Sequence, residues 1–572
     1  MQKNSPAALS LALALATSLS TFVTAQPVSA QATGICLVET TLSDLQAALR
    51  ERRTTSKKLV AGYLARIAAY DKRGPKINSI LEVNPDALTI AADLDLRARN
   101  PRLVRGPLYG IPIVVKDNVD TADRMHTSAG TLALANNIPP VDSFVAKKLR
   151  EAGAIILGKA NMTEYANFQA VGMPAGYSSR GGQVLNPYVL DLDPNGIPIV
   201  TPGGSSSGSG AAVAANLAAA SIGTETSGSL LSPASANGLV TVKPTVGLIS
   251  RTGIIPIAAS QDTAGPLTRT VRDAAIVLGA LTGVDPEDPA TSQSVGRAFT
   301  DYTIFLDPNG LQGARIGVPR NTTNPSDPNN VYYRNLNAEQ TAIMNAAIAK
   351  LQELGATIME ATIPTASQVG GAGTTLTVPV TNPFSTLNGS TTQVSTVLLY
   401  EFKVGLNAYF QRLGLNAPLR SLTEQIAYNN ANPETTLRFA QDLLIASDAT
   451  SGDLTDPTYT QARQLDIQTA RTDGIDAYMS QNQLDAILFP ANFGAAIAAK
   501  AGYPSVSVPG GYRTSSGQLA TPPYPFGITF TARAWSEPTL LKFAYAYEQA
   551  TQVRRPPSTT PALNGECSVP SP

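Results

Sequence analysis

A layered α/β fold is predicted by two observations. Short apolar runs suited to buried strands, at residues 111–115, 155–157 and 486–489, are separated by segments of helical spacing such as 145–151 and 343–354. The stretch Gly238-Leu-Val-Thr-Val-Lys-Pro244 reads as a further buried strand between turn-forming residues. At 572 residues the chain is longer than a usual domain and has no internal repeat, and large α/β enzymes form a single body of this size.

Taken in order, the chain opens with Lys3, an apolar run at 7–16 and the small-residue cleavage candidates Val23-Thr-Ala25 and Val28-Ser-Ala30. This pattern predicts a secretory signal over 1–30, since the run is about half of the ~20 residues a membrane span needs. The mature chain, 31–572, is expected to fold as one domain. Leu45 and Leu49, then Leu59, Tyr63, Leu64 and Ile67, predict two amphipathic helices that cover the core. A helix over 274–281 ends at Gly283 and leads into an acidic, Pro-rich loop at 284–290. The helix lined by Ile343, Ala347, Leu351 and Leu354 passes through Gly355 to a strand at 356–359. Residues 364–396 are rich in Thr, Gly and Ser and lead into a helical segment at 397–413. The span of about 364–480 is expected to be an insertion over the site, because the strand at 486–489 resumes the main pattern.

Composition excludes several function classes. A formal net charge of +0 gives no support for nucleic-acid binding or electrostatic attachment to a membrane. One histidine and two cysteines leave no zinc cluster, and no cofactor is expected. Cys36 and Cys567 lie near the two ends of the mature chain, and export would place them where a disulfide persists; two free thiols are the alternative. Glycosylation sequons begin at Asn321 and Asn388 in turn-rich segments, while the sequon at Asn161 follows a strand closely and is expected to be buried.

The chemistry concentrates in Thr201-Pro-Gly-Gly-Ser-Ser-Ser-Gly-Ser-Gly210 and Ser221-Ile-Gly-Thr-Glu-Thr-Ser-Gly-Ser229. These read as two hydroxyl-rich glycine turns on either side of a small-residue helix at 211–220, which would bring both to one place. A flexible Gly/Ser linker is the bland alternative, but the segment runs directly into apolar sequence. A Walker loop is disfavoured because no Lys-Ser/Thr pair follows the glycines. Gly204-Ser-Ser-Ser-Gly208 fits the nucleophile-elbow pattern centred on Ser206, but the one histidine, His126, precedes it, whereas an α/β-hydrolase places its histidine last. A desolvated lysine is then the available base. Lys116 closes the apolar run Ile111-Pro-Ile-Val-Val115 beside Asp117 and Asn118, where a plain strand cap is the other reading.

As a set, Val115-Lys-Asp-Asn118, Gly203-Gly-Ser-Ser206, Gly223-Thr-Glu-Thr-Ser-Gly-Ser229, Lys243-Pro-Thr245 and Gln261-Asp-Thr-Ala-Gly-Pro266 resemble the amidase signature family. The likeness is strong over about 42–283 and weaker to about 552, through Tyr400-Glu-Phe-Lys403, Tyr503-Pro-Ser505 and Pro525-Phe-Gly-Ile528. Gly223 to Ser229 and Arg180-Gly-Gly-Gln183 are most similar to its peptide amidase branch. The resemblance implies one large mixed, mostly parallel sheet enclosed by helices. It implies a Ser-cisSer-Lys triad of Ser229 as nucleophile, Ser205 as bridging serine on a cis peptide and Lys116 as base. Thr226, Ser227 and Gly228 would supply the oxyanion hole, with Ser206 in support. The expected activity is hydrolysis of a carboxamide, including peptide C-terminal amides, through an acyl-enzyme, with a small-molecule or peptide substrate as partner. Three departures from the family pattern stand out. Ser227 stands where many members have glycine, as does Ser207, and Leu231 and Ser232 stand where many carry an arginine. An esterase acting through Ser206 and a non-catalytic secreted binding protein on the same fold are the competing readings.

Overall fold

The computed structural model describes residues 35–567, so the expected signal over 1–30 lies outside the described residues. Eleven strands form one sheet: β1 (Ile80–Val83), β2 (Pro112–Lys116), β3 (Ile155–Ala160), β4 (Ala220–Glu225), β5 (Val240–Lys243), β6 (Thr263–Thr268), β7 (Arg315–Val318), β8 (Thr357–Glu360), β9 (Ala486–Pro490), β10 (Ser505–Ser516) and β11 (Leu519–Thr531). Their order across the sheet is β1-β3-β2-β4-β6-β5-β10-β11-β9-β7-β8. Every residue of β2, β3, β4 and β6 is buried, which is why β2 and β3 read as near-continuous apolar runs.

The sheet is mixed, but the expectation that it is mostly parallel needs correction. Four pairings are parallel: β2 with β3, β2 with β4, β9 with β7 and β7 with β8. The other six are antiparallel. Much of the difference is the long hairpin β10–β11, which occupies the middle of the sheet and which its own Pro and Gly residues hide in the sequence.

Helices flank the sheet. The two expected amphipathic helices are α1 (Leu42–Arg50), opened by a capping box on Thr41, and α2 (Ser56–Arg66), capped by Thr55. The small-residue helix α3 (Ser207–Ala214) is shorter than the expected 211–220 and begins earlier. Asn216 takes a left-handed φ of 57°, and the bonds Leu217 N–H to Ala212 O (2.8 Å) and Asn216 N–H to Val213 O (3.1 Å) close a Schellman motif. The chain turns there into β4, so the first five residues of the second glycine motif are a strand and its turn starts at Thr226.

The segment expected as an insertion begins with a hairpin, Thr375–Pro379 against Thr391–Ser395, and continues in helices including α4 (Thr396–Arg412) and α5 (Pro457–Ile467). Leu399, Phe402, Leu406 and Phe410 of α4 form a second apolar cluster with Leu134, Met162, Tyr165 and Phe168, which lie on the loops after β2 and β3. The Phe402 ring meets Tyr165 edge-on at 5.8 Å and Phe168 at 5.0 Å. Burial of such a side chain is worth about 1.5–3 kcal/mol, so this cluster holds the segment against the loops that carry the site. Asn161 is fully buried, as expected, and Asn388 is exposed.

Cys36 and Cys567, 531 residues apart in sequence, form a disulfide. Beside it, fully buried Arg66 of α2 ties the C-terminal segment down. It pairs with Glu566 (2.7 Å) and donates to the carbonyls of Asn216, Ala215, Thr560 and Pro561. Removing one member of a buried pair leaves the other uncompensated, at a cost of about 3–5 kcal/mol. Arg66→Ala is therefore expected to lower the urea midpoint markedly, while Asp93→Asn, which breaks the exposed pair with Arg97, leaves it unchanged. Equal midpoints for the two variants would contradict this account.

Candidate active site

Strand β2 ends at Lys116, and its side chain is completely buried. The amine donates to Ser205 Oγ (2.8 Å), to Thr224 Oγ1 (2.9 Å) and to the Thr224 carbonyl (3.3 Å). Burial drives its pKa down to about 7, against the charges of Asp262 and Glu225, which raise it. Two other lysines, Lys159 and Lys243, are equally buried and also lowered by burial. Lys159 donates to the Val119 carbonyl and Thr127 Oγ1, and Lys243 to the Tyr503 carbonyl. Among the described residues only Lys116 of the three meets a serine hydroxyl.

Ser205 follows Gly204 through a cis peptide bond, the geometry the resemblance implied. Its neighbour Ser206 accepts from Thr224 N–H (3.2 Å) and donates to the Thr224 carbonyl (3.0 Å). Both bonding directions of that hydroxyl are thus spent on the backbone of β4, and its side chain is fully buried. Among the described residues no strand runs directly into the Gly203–Gly204 turn, and the Ser206 hydroxyl ties that turn to β4.

The turn after β4 carries Thr226, Ser227, Gly228 and Ser229. Among the hydrogen bonds of the described residues, none uses the N–H of any of these four. Gly228 holds φ at +88°, a conformation glycine adopts freely, and so turns the chain into the helix Leu231–Ala236. Glu225 closes the turn from inside, with Oε2 accepting from Leu230 N–H (2.8 Å) and Leu231 N–H (3.0 Å). Asp262 closes it from the other side. It accepts from the Thr226 hydroxyl and, through its second oxygen, from Ile257 N–H and Ala258 N–H (2.9 Å each). Burial pushes the Asp262 carboxyl up to about 6. The two glycine turns touch directly: Ser206 N–H donates to the Ser229 carbonyl (3.3 Å) and Gly204 N–H to Ser232 Oγ (3.4 Å). Ser232 thus bridges the turns at one of the positions where many family members carry an arginine.

Every expected site residue therefore lies in one constellation, with one contact unformed. Ser229, 7% exposed, makes no side-chain hydrogen bond to Ser205 or to any other described residue. His126 sits apart, with Nδ1 on Glu82 (3.0 Å), which also pairs with Arg180 (2.8 Å). Arg180 continues to Asp117 (3.5 Å), whose carboxylate gathers Gly130 N–H and both donors of Ser128. Asp117 thereby shapes the loop beyond Lys116. Thr224, Asn118 and Asp262 were not singled out by the sequence, although all three lie within its recognisable motifs. Asn118 donates to Thr224 Oγ1 (3.1 Å) and fixes the acceptor that Lys116 uses.

A cavity of about 330 Å³ opens beside Thr224, Thr226 and Asp262, between the loop 251–263 and the face of α4 bearing Gly405, Tyr409 and Arg412. A larger cleft of about 770 Å³, lined by Arg50, Arg105, Lys148 and Arg272, shares no residue with it. Among the described residues no group of three or more His, Cys, Asp or Glu side chains is placed to hold a metal, and no helix is long and apolar enough to cross a membrane.

Because the Asp262 charge favours protonated Lys116, its removal has a definite sign. Above about pH 6, where Asp262 is ionised, Asp262→Asn is expected to lower the Lys116 pKa further below about 7. NMR titration of the Lys116 Nζ resonance checks this, and an upward shift would refute it.

The Amidase family model matches residues 58–541. The structure is similar to native peptide amidase from Stenotrophomonas maltophilia, with TM-score 0.78 and 43% identity, covering 91% of this chain and 99% of that one. It is also similar to an amidase family protein from Bacillus anthracis (TM-score 0.77, 35% identity, 91% and 93% covered). In sequence it is 37% identical over 523 residues to a probable amidase of Arabidopsis thaliana, covering 91% of each chain. The chain belongs to the amidase family and is an amidase, a hydrolase of amide bonds.

Proposed function

We propose that this amidase works through Lys116, Ser205 and Ser229, that its substrates include the C-terminal amides of peptides, and that it acts outside the cytoplasm. The observation that carries the catalytic part is the buried Lys116–Ser205 contact beside a turn with four unpaired N–H groups. Neutral Lys116 takes the proton of Ser205 as Ser205 takes that of Ser229, and Ser229 Oγ attacks the amide carbonyl carbon. Rotation of the Ser229 side chain closes the last link of this relay. The N–H groups of Thr226, Ser227, Gly228 and Ser229 receive the oxyanion, where loss of one donor typically costs about 3 kcal/mol. The C–N bond breaks as Ser205 returns a proton to nitrogen, so ammonia or an amine leaves. Water then attacks the acyl-enzyme through the same relay, releasing the acid and restoring Ser229.

Likeness to a peptide amidase at 43% identity supports the substrate class, and the cavity beside Thr226 offers room for a substrate chain. The Cys36–Cys567 disulfide and the signal-like sequence at 1–30 support export.

Ser229→Ala is expected to abolish both ammonia release from peptide amides and labelling by a fluorophosphonate. Labelling retained on Ser206 would sink the assignment, and an unlabelled wild type would favour a non-catalytic binding protein. Activity should fall as pH drops through about 7, because protonation removes the base. That acid limb should persist in His126→Ala and vanish with all activity in Lys116→Ala; the reverse pattern would reassign the base.

A further inference from the structure

We propose that helix α4, which the sequence places outside the catalytic motifs, sets the geometry of the site through Glu401, a positioning residue for the oxyanion turn; the inference rests on the proposed function above. Positions 401, 405, 409 and 412 share one face of α4, beside the face that Phe402, Leu406 and Phe410 bury in the second apolar cluster, which Tyr409 also joins. Each of the four contacts a loop beside the site.

Glu401 is 4% exposed. One carboxylate oxygen accepts from Ser260 N–H (2.8 Å) and the other from the Tyr459 hydroxyl of α5 (2.7 Å). The cations facing it are Arg251 on the loop and Arg463 on α5. Ser260 belongs to the bend that Asp262 closes by accepting from Ile257 and Ala258, and the free oxygen of Asp262 takes the Thr226 hydroxyl. Two carboxylates with one bend between them therefore run from α4 to the first residue of the oxyanion turn. Gly405 lets the helix approach closely, since a Cβ there would lie 2.9 Å from Pro256 Cγ. One turn further, the Tyr409 hydroxyl donates to Asp120 (2.9 Å), four residues beyond Lys116, and Arg412 pairs with Glu287. The same face thus grips the loop leaving Lys116 and the loop leading to Asp262.

A purely structural anchor and a positioning residue differ in what they move. Donors to an oxyanion act only when held in place, and a misplacement of about 1 Å costs roughly 100-fold in rate. In the full-length protein, Glu401→Ala is expected to lower kcat about 30- to 100-fold with KM changed less than about threefold, and to slow fluorophosphonate labelling of Ser229 in proportion. Glu401→Gln keeps an acceptor for Ser260 N–H and is expected to recover most of that loss. Folded Glu401→Ala with kcat within about twofold of wild type, a loss confined to KM, or a Gln variant no better than Ala would each overturn the proposal. If the Ala variant does not fold, Tyr459→Phe, which removes only the second bond to Glu401, carries the test with a smaller fall in kcat expected and an unchanged kcat refuting it. Hydrogen exchange at 226–229 reads positioning independently of turnover. Faster exchange there in Glu401→Ala supports the proposal even where no amide tested is hydrolysed, an outcome that counts against the proposed function alone, and unchanged exchange overturns it.

Discussion

Burying the Lys116 amine at the end of a fully enclosed strand is the constraint on which the rest of the structure depends. A fall of its pKa to about 7 corresponds to disfavouring the ammonium by on the order of 5 kcal/mol relative to water. That requires a strand enclosed on both faces, so β2 lies between β3 and β4 deep inside the sheet. It also requires partners that do not bring another full charge: the hydroxyl and carbonyl of Thr224 accept the two hydrogens of the neutral amine, and the hydroxyl of Ser205 faces its lone pair. The adjoining strand β4 therefore does two jobs at once, since Thr224, which receives the lysine, lies two positions before the glycine turn at 226–229.

The pairing of β2 with β4 fixes the distance between Lys116 and the turn at 226–229, and Ser206 fixes the first glycine turn to the same backbone. By taking both the N–H and the carbonyl of Thr224, Ser206 locks α3 onto the end of β4. The Schellman motif at Asn216 then brings the chain back into the sheet within a few residues. Compactness of this kind explains the Ala, Gly and Ser content of 203–220 better than flexibility does, because every residue of α3 is buried.

How much of this was legible in the sequence follows from which signals survive burial. β2, β3 and β9 announced themselves because strands enclosed on both faces are continuous apolar runs. β6 did not, because it carries Gly265 and Pro266. A Cβ at Gly265 would lie 2.1 Å from the Val242 carbonyl, so close strand packing demands the residue that erases the strand signal. The hairpin β10–β11 is masked by its prolines and by Gly510-Gly511 in the same way, and with it went the true balance of parallel and antiparallel pairing. Lys116, Ser205 and Ser229 were reachable through motif resemblance, but which of three buried lysines meets a serine is a fact of strand register. Asp262 stood in a recognisable motif with no visible partner, because its partner is 36 residues away in sequence.

The carboxylates nearest the lysine show how loop shape and chemistry are bound together. Glu225 adjoins the turn at 226–229, Asp117 adjoins Lys116, and Asp262 reaches Thr226 from 36 residues away in sequence; each spends one oxygen on two backbone N–H groups of a loop: Leu230 and Leu231, Ser128 and Gly130, Ile257 and Ala258. An anion is the strongest available acceptor for two converging N–H groups, so irregular loops of this tightness call for carboxylates. Yet two of these anions, Asp262 and Glu225, pull the lysine toward its charged form. Burial outweighs them, and a pKa of about 7 is the balance between the carboxylates that shape the turns and the desolvation of the amine. Because the loop N–H groups and the Thr226 hydroxyl engage these carboxylates, none of them takes a hydrogen bond from Lys116 among the described residues, and its amine meets Ser205 and Thr224 instead.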